Sequence, residues 1–175
     1  MKTHKLPYKL DTKQLCQESS NEGRLVDGKI KISELPNLSG LLADNSGEVQ
    51  ATLRCGKDQE GLPFILGDLQ VSLNLTCERC LNKMVYPLKA EFKVSPVETE
   101  TQANNLPKRY EPVMVTESIL SLTDWLSEEI LLNLPLAPKH ETSFCHAVVD
   151  NSPKIEAITP KKPSPFEALK NLKTS

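Results

Sequence analysis

The sequence predicts an α+β fold: an antiparallel β-meander forming a barrel-like sheet, with a long helix after it and a short C-terminal helix. Three observations carry that prediction. Apolar and polar residues alternate over residues 48–55, 64–75 and 84–94, the period-two pattern of half-buried strands. Ile119, Leu122, Trp125, Leu126, Ile130 and Leu134 recur at three- and four-residue spacing, the mark of an amphipathic helix over residues 117–133. Ser164, Pro165 and Glu167 then combine an N-cap, a first-turn proline and a capping box in one run.

Taken in chain order, Asp11 is positioned to cap a short helix reaching Ser19. Residues 23–32 have strand character, with Asp27-Gly28 as a turn signal inside them. Ser33, Leu35, Leu38, Leu41 and Leu42 suggest another short helix, its register disturbed by Pro36. The three strands of the meander follow, joined by a turn over residues 56–61 and a tight connection at 76–83, with Gly67 a potential break in the second strand. Hairpin connections close locally, so neighbouring strands should be antiparallel. Residues 96–112 read as a polar link, long enough to be functional or mobile. Pro135 ends the long helix, because the residue before a proline avoids the helical region.

These elements place a single α+β domain in residues 1–150. A Pro- and Lys-rich flexible linker follows at 151–163, then a short amphipathic helix at 164–173 carrying Phe166, Leu169 and Leu172 on one stripe. A helix of three turns does not persist alone in water, so it should dock on this domain or on a partner.

Composition narrows the function classes. No run approaches the roughly 18 apolar residues that span a bilayer, and the basic start at Lys2 and Lys5 lacks the apolar stretch of a signal peptide. A cytoplasmic protein is expected, in which five cysteines would not form a disulfide framework. The net charge of −2 argues against a freestanding nucleic-acid binder. Charge is nonetheless uneven: residues 98–150 hold nine acidic and three basic side chains, whereas residues 152–175 hold five lysines and two glutamates. Lys154, Lys161, Lys162, Lys170 and Lys173 therefore form a basic tail. It is either simply solvated or weakly placed to meet RNA phosphates or an acidic protein face.

Catalytic signatures are missing: there is no nucleophile elbow, P-loop, dinucleotide fingerprint or zincin helix. Glu128 and Glu129 are adjacent on a helix and so diverge, which suits a solvated face better than an acid/base pair. An enzyme with a small-molecule substrate is not expected, and neither is a membrane protein.

The most specific chemistry lies at Cys77 and Cys80, two thiols at metal-knuckle spacing at the tip of the second hairpin. With Cys145 and one of His140 or His146 they make a Cys₃His set suited to a structural zinc ion. Two other readings stand beside it: reduced surface thiols, and a C-x-x-C thiol redox protein. The redox reading normally places the motif at a helix N-terminus, whereas here a strand precedes it. Cys16 and Cys55, within apolar segments, read as buried and inert.

Several segments together resemble the large ribosomal RNA subunit accumulation protein family, the YceD-like proteins of bacteria and plastids. They are Lys5-Leu6-Pro7, residues 73–80, Ser95-Pro96-Val97, Tyr110-Glu111-Pro112, residues 128–140, Cys145 and residues 165–173, in that order. The resemblance implies a non-enzymatic factor in the synthesis, processing or stability of large-subunit (23S) ribosomal RNA, with ribosomal RNA or a ribosome-assembly protein as partner. Relatives commonly carry further cysteines after the helix, where this chain has His140, Cys145 and His146.

Overall fold

The computed structural model describes residues 4–17, 23–141 and 145. Its centre is a five-stranded sheet in the order β2-β3-β4-β5-β6. Strands β2 (Arg24–Lys31), β3 (Glu48–Lys57), β4 (Pro63–Thr76) and β5 (Lys83–Val97) form an antiparallel meander. β6 (Glu111–Met114) joins the far side of β5 in parallel. A hairpin cannot produce a parallel neighbour, and the chain instead crosses over through α2 (Glu100–Asn104). The strand order ends at β2 and β6, so the sheet is open rather than the barrel-like form expected.

One face of this sheet is the core. Ala51, Leu69 and Ala90 lie in one cross-strand row, and Cys55, Ile65 and Val94 in another, all buried. Between them runs Leu53, Gly67 and Phe92. The predicted break at Gly67 is absent, because a Cβ there would overlap the Thr52 carbonyl oxygen and the Phe92 ring. Glycine is the residue that lets Phe92 lie across an unbroken strand. Helix α3 (Leu122–Asn133) covers this face with Leu122, Trp125, Leu126 and Ile130. Trp125 meets Phe92 edge-on, with ring centroids 4.7 Å apart, a favourable aromatic arrangement.

The helix begins five residues later than periodicity predicts. Glu117 and Ser118 both have positive φ, 51° and 64°, and make a tight turn into β7 (Ile119–Ser121). β7 pairs with β1 (Lys9–Asp11) in a separate two-stranded sheet. Helical spacing before Leu122 is thus used by a strand, while Pro135 ends the helix as expected. The Leu134 C-cap is extended, with φ −73° and ψ 139°.

Other differences have local causes. The Asp11 side chain does cap α1 (Thr12–Gln17), accepting from Gln14 N–H at 2.9 Å, while Ser19 lies outside the described residues. There is no turn at Asp27-Gly28: β2 runs straight through, and residues 4–6 lie against its outer edge. Lys29 N–H donates to the His4 carbonyl and Leu6 N–H to the Lys29 carbonyl, an approach that a Cβ on Gly28 would block at 2.5 Å from His4 O. The leucine-rich segment after Ser33 contains one 3₁₀ turn, Ile32–Glu34, with Leu35 and Leu38 buried beyond it. The supposed link at 96–112 holds the end of β5, the start of β6, and α2. Thr99 and Gln102 close a capping box on α2. The expected linker at 151–163 and helix at 164–173 lie outside the described residues.

Candidate metal centre

β4 and β5 outrun the rest of the sheet. The β3–β4 ladder stops at Gln50 and Gln70, whereas the β4–β5 ladder continues to Thr76 and Lys83. β6 pairs only with Val94–Val97, which leaves Pro87 on an open edge where its missing N–H costs nothing. The alternating sequence therefore builds a two-stranded ribbon beyond the β3–β4 ladder, with Val71, Leu73 and Leu75 still buried in the core on one face. Its tip folds back as a knuckle: Leu81 N–H donates to the Cys77 carbonyl at 2.8 Å and Cys77 N–H to the Asn82 carbonyl at 2.9 Å. Leu81 takes φ 58° to close the turn.

After Pro135 the chain crosses this tip. The Pro138 carbonyl accepts from Glu78 N–H at 2.8 Å, which sets His140 beside Cys80, with Nδ1 and Sγ 3.5 Å apart. Cys145 reaches the other thiol, its Sγ 3.5 Å from Cys77 Sγ. The Arg79 guanidinium donates to the Cys145 carbonyl at 3.2 Å. The donor atoms of Cys77, Cys80, His140 and Cys145 all lie within 4.8 Å of one another. Cys77 and Cys145 are buried, Cys80 and His140 half-buried. The three thiols are unbonded to one another, and a sulfur–sulfur distance of 3.5 Å is far beyond a disulfide bond of about 2.05 Å.

The electrostatics suit a cation. Burial opposes ionisation of Cys77, but backbone N–H groups of Cys80, His140 and Arg79 and the Cys145 thiol bring it down to about 5. Burial, reinforced by the thiols of Cys77 and Cys80, pushes Cys145 up to about 11. A thiolate thus forms readily at Cys77, and one at Cys145 is disfavoured until positive charge arrives among the sulfurs. Three sulfurs and an imidazole make a donor set that can hold a metal ion.

The sequence pointed to these four residues, and the structure brings all four together. His146 and the tail residues Lys154, Lys161, Lys162, Lys170 and Lys173 lie outside the described residues. Cys16 and Cys55 are buried apart from the cluster, and burial, followed by the charge of Cys16, raises the Cys55 thiol to about 12. Glu128 is exposed, as a solvated face requires, whereas Glu129 beside it is half-buried. Sequence reasoning missed the supports. Asp44 binds Lys83, Ser46 and Asn74, and Ala43 N–H donates to the Asn74 carbonyl at 2.7 Å, so residues 43–46 brace the free edge of β4. The hydrogen-bonded side chains at Lys83 and Ser46 hold the Asp44 carboxyl far below its ordinary range. Asp44 and Ser46 around Asn45 are a turn-forming sequence, but nothing local names Asn74 or Lys83 as partners.

Fold and site together define an α+β protein whose overhanging β-hairpin ends in a Cys₃His cluster. The family model described as large ribosomal RNA subunit accumulation protein YceD matches residues 65–173, a span that includes all four donors. Large ribosomal RNA subunit accumulation protein YceD of Haemophilus influenzae is 32% identical over 151 residues, covering 83% of this chain and 86% of that relative. The chain belongs to the YceD family. No solved structure matches it.

Proposed function

We propose that the protein is a non-enzymatic, cytoplasmic factor supporting the synthesis, processing or stability of large-subunit (23S) ribosomal RNA, with a structural zinc ion in its Cys₃His cluster. The observation that carries this reading is the convergence of four metal donors within a chain of the YceD family. The name of the Haemophilus relative supports the ribosomal RNA role. No helix among the described residues is long and apolar enough to cross a membrane. The partner is ribosomal RNA itself or a ribosome-assembly protein, met in part through the lysines of the tail.

The donor geometry supports zinc. Tetrahedral zinc, with Zn–S of about 2.3 Å and Zn–N of about 2.0 Å, separates two sulfurs by about 3.8 Å and a sulfur from a nitrogen by about 3.5 Å. The contacts of Cys77 with Cys145 and of Cys80 with His140, both 3.5 Å, lie close to those values. Four protein donors leave no open position for substrate or water, which favours a structural over a catalytic ion. The ion's role is then to tie the hairpin tip to the segment after α3. The thiol redox alternative is weakened by placement, since Cys77 and Cys80 lie between two strands and not at a helix N-terminus.

Depletion of the protein from growing cells, with large- and small-subunit ribosomal RNA quantified together, tests the role. A fall in the large-to-small ratio is expected, and an unchanged ratio with normal precursors overturns it. Metal analysis of the purified full chain is expected to give one zinc per protein. Catalytic turnover of a disulfide substrate by metal-free protein would favour the redox alternative.

A further inference from the structure

One row on α3 faces outward. Asp124, Glu128 and Leu132 follow at four-residue spacing and are all exposed, Leu132 by 79%. Leu136, two residues past the C-cap, is fully exposed. The helix thus carries two carboxylates and one bare leucine on its uncovered side, with a second bare leucine in the segment just after it, while its opposite side is spent on the core. Two such leucines in close succession, at and just beyond the end of an otherwise polar helix face, mark a contact surface.

The chain supplies a matching occupant. Residues 164–173 place Phe166, Leu169 and Leu172 on one stripe, with Lys170 and Lys173 beside it. This segment needs a docking surface to be helical at all. Its net positive charge complements the acidic row, which would repel the same row on a second copy.

The Cys₃His cluster also fixes where this tail departs. His140 and Cys145 hold donor atoms within 4.8 Å of each other, and Leu136 is only four residues before His140, so about 14 Å at most separates those two Cα atoms. The eighteen residues 146–163 can reach at most about 65 Å when fully extended. That reach is enough for a return to the end of α3.

We propose that the C-terminal segment 164–173 docks on the outer face of α3, with Phe166, Leu169 and Leu172 against Leu132 and Leu136 and Lys170 and Lys173 against Asp124 and Glu128. While docked, those lysines face carboxylates and are withheld from phosphate. The contact stands independently of the ribosomal RNA role: a cross-link reports it whether or not RNA levels respond to depletion.

Carbodiimide treatment of the full-length protein tests it, because this reagent joins a carboxylate to an amine only where the two touch, with loss of water. An equal mixture of light and heavy-isotope protein distinguishes links within one chain from links between copies. The expected result is an amide between Lys170 or Lys173 and Asp124 or Glu128 within single chains. In a Leu132→Ser/Leu136→Ser variant, its yield should fall about tenfold or more, the factor carried by losing burial of even one leucine. A Phe166→Ser/Leu169→Ser variant, altered only in the tail, should show the same loss with Trp125 fluorescence unchanged. Trypsin cleavage after Lys170 should be slower in the unmodified protein than in either variant. Links to other carboxylates, light–heavy links, equal yields in the variants or equal cleavage rates each overturn the proposal.

Discussion

The cross-strand row through Leu53, Gly67 and Phe92 is flanked by strands and covered by α3, whereas the row through Asn74 and Val85 consists of those two residues alone in the β4–β5 ladder. The inner row buries apolar surface on one face and is held non-specifically, by area and packing. The outer row belongs to a ribbon, and a two-stranded ribbon is marginal in water without further support. Support at that end comes from Val71, Leu73 and Leu75, buried on one face, and beyond them from named polar groups: the Asp44 brace, the Pro138 carbonyl and the Cys₃His cluster. The two ends of one hairpin therefore respond to different chemistry. The core end answers to volume alone, the tip to donor atoms as well.

The largest expected effect is at the core end. Leu53→Ala removes a fully buried side chain and should cost about 2–5 kcal/mol. The loss should appear as a lowered denaturation midpoint of similar size with and without a chelator. A loss that grew when metal was removed would break the separation of the two ends. Next is loss of the proposed zinc ion, by chelation or by Cys77→Ser. Where metal stands about 100-fold above its dissociation constant, linkage stabilises the folded state by about 2.7 kcal/mol, and this should be lost. Hydrogen exchange should accelerate at residues 71–76 and 83–87 while residues 49–55 keep their protection. Uniform acceleration would show that the tip and the core open as one unit.

A smaller effect is expected at the opposite end of β5. Ser95 is buried and donates its hydroxyl to the Pro63 carbonyl at 2.7 Å. Ser95→Ala should cost about 1 kcal/mol, the usual net worth of one such bond, and leave zinc content unchanged. Altered metal binding in this variant would show that strain passes along β5 from one end to the other.

How legible each end was in the sequence follows the same division. Alternation over residues 48–55, 64–75 and 84–94 revealed the meander, because burial on one face imposes a period that needs no knowledge of partners. The four cluster residues were also legible, since cysteine and histidine are few and their donor chemistry is specific. Contacts over long sequence separation were not. β6 is short and carries Pro112, and its parallel pairing depends on a crossover that no local pattern encodes. β7 was hidden inside helical spacing because Ile119 and Leu122 stand three apart as on a helix, whereas the residue that β7 buries is Leu120, and the positive φ of Glu117 and Ser118 sets the turn that makes it a strand. Gly28 and Gly67 read as interruptions, yet each marks a close approach by another segment. A glycine in a strand reports proximity as often as it reports a bend.

The smallest effect concerns charge where α3 passes β6. Glu129 is half-buried, and burial first, then the nearby Glu111 carboxylate, raise its carboxyl above the ordinary value of 4.5, against a lowering contact from Trp125. Because the folded state favours the protonated form, the stabilising contribution is complete below the unfolded value near 4.5. It is lost as pH rises through the folded value. Glu129→Gln imitates the neutral form, so it should stabilise slightly at pH 7, by less than about 0.5 kcal/mol given solvent screening, and give no gain at about pH 4, where the native carboxyl is itself largely neutral. Urea denaturation at the two pH values reads the difference. A destabilised variant at pH 7 would mean that the carboxylate accepts a bond worth more than its desolvation. The α3–β6 junction would then depend on specific donors, as the hairpin tip does, and no longer on burial alone.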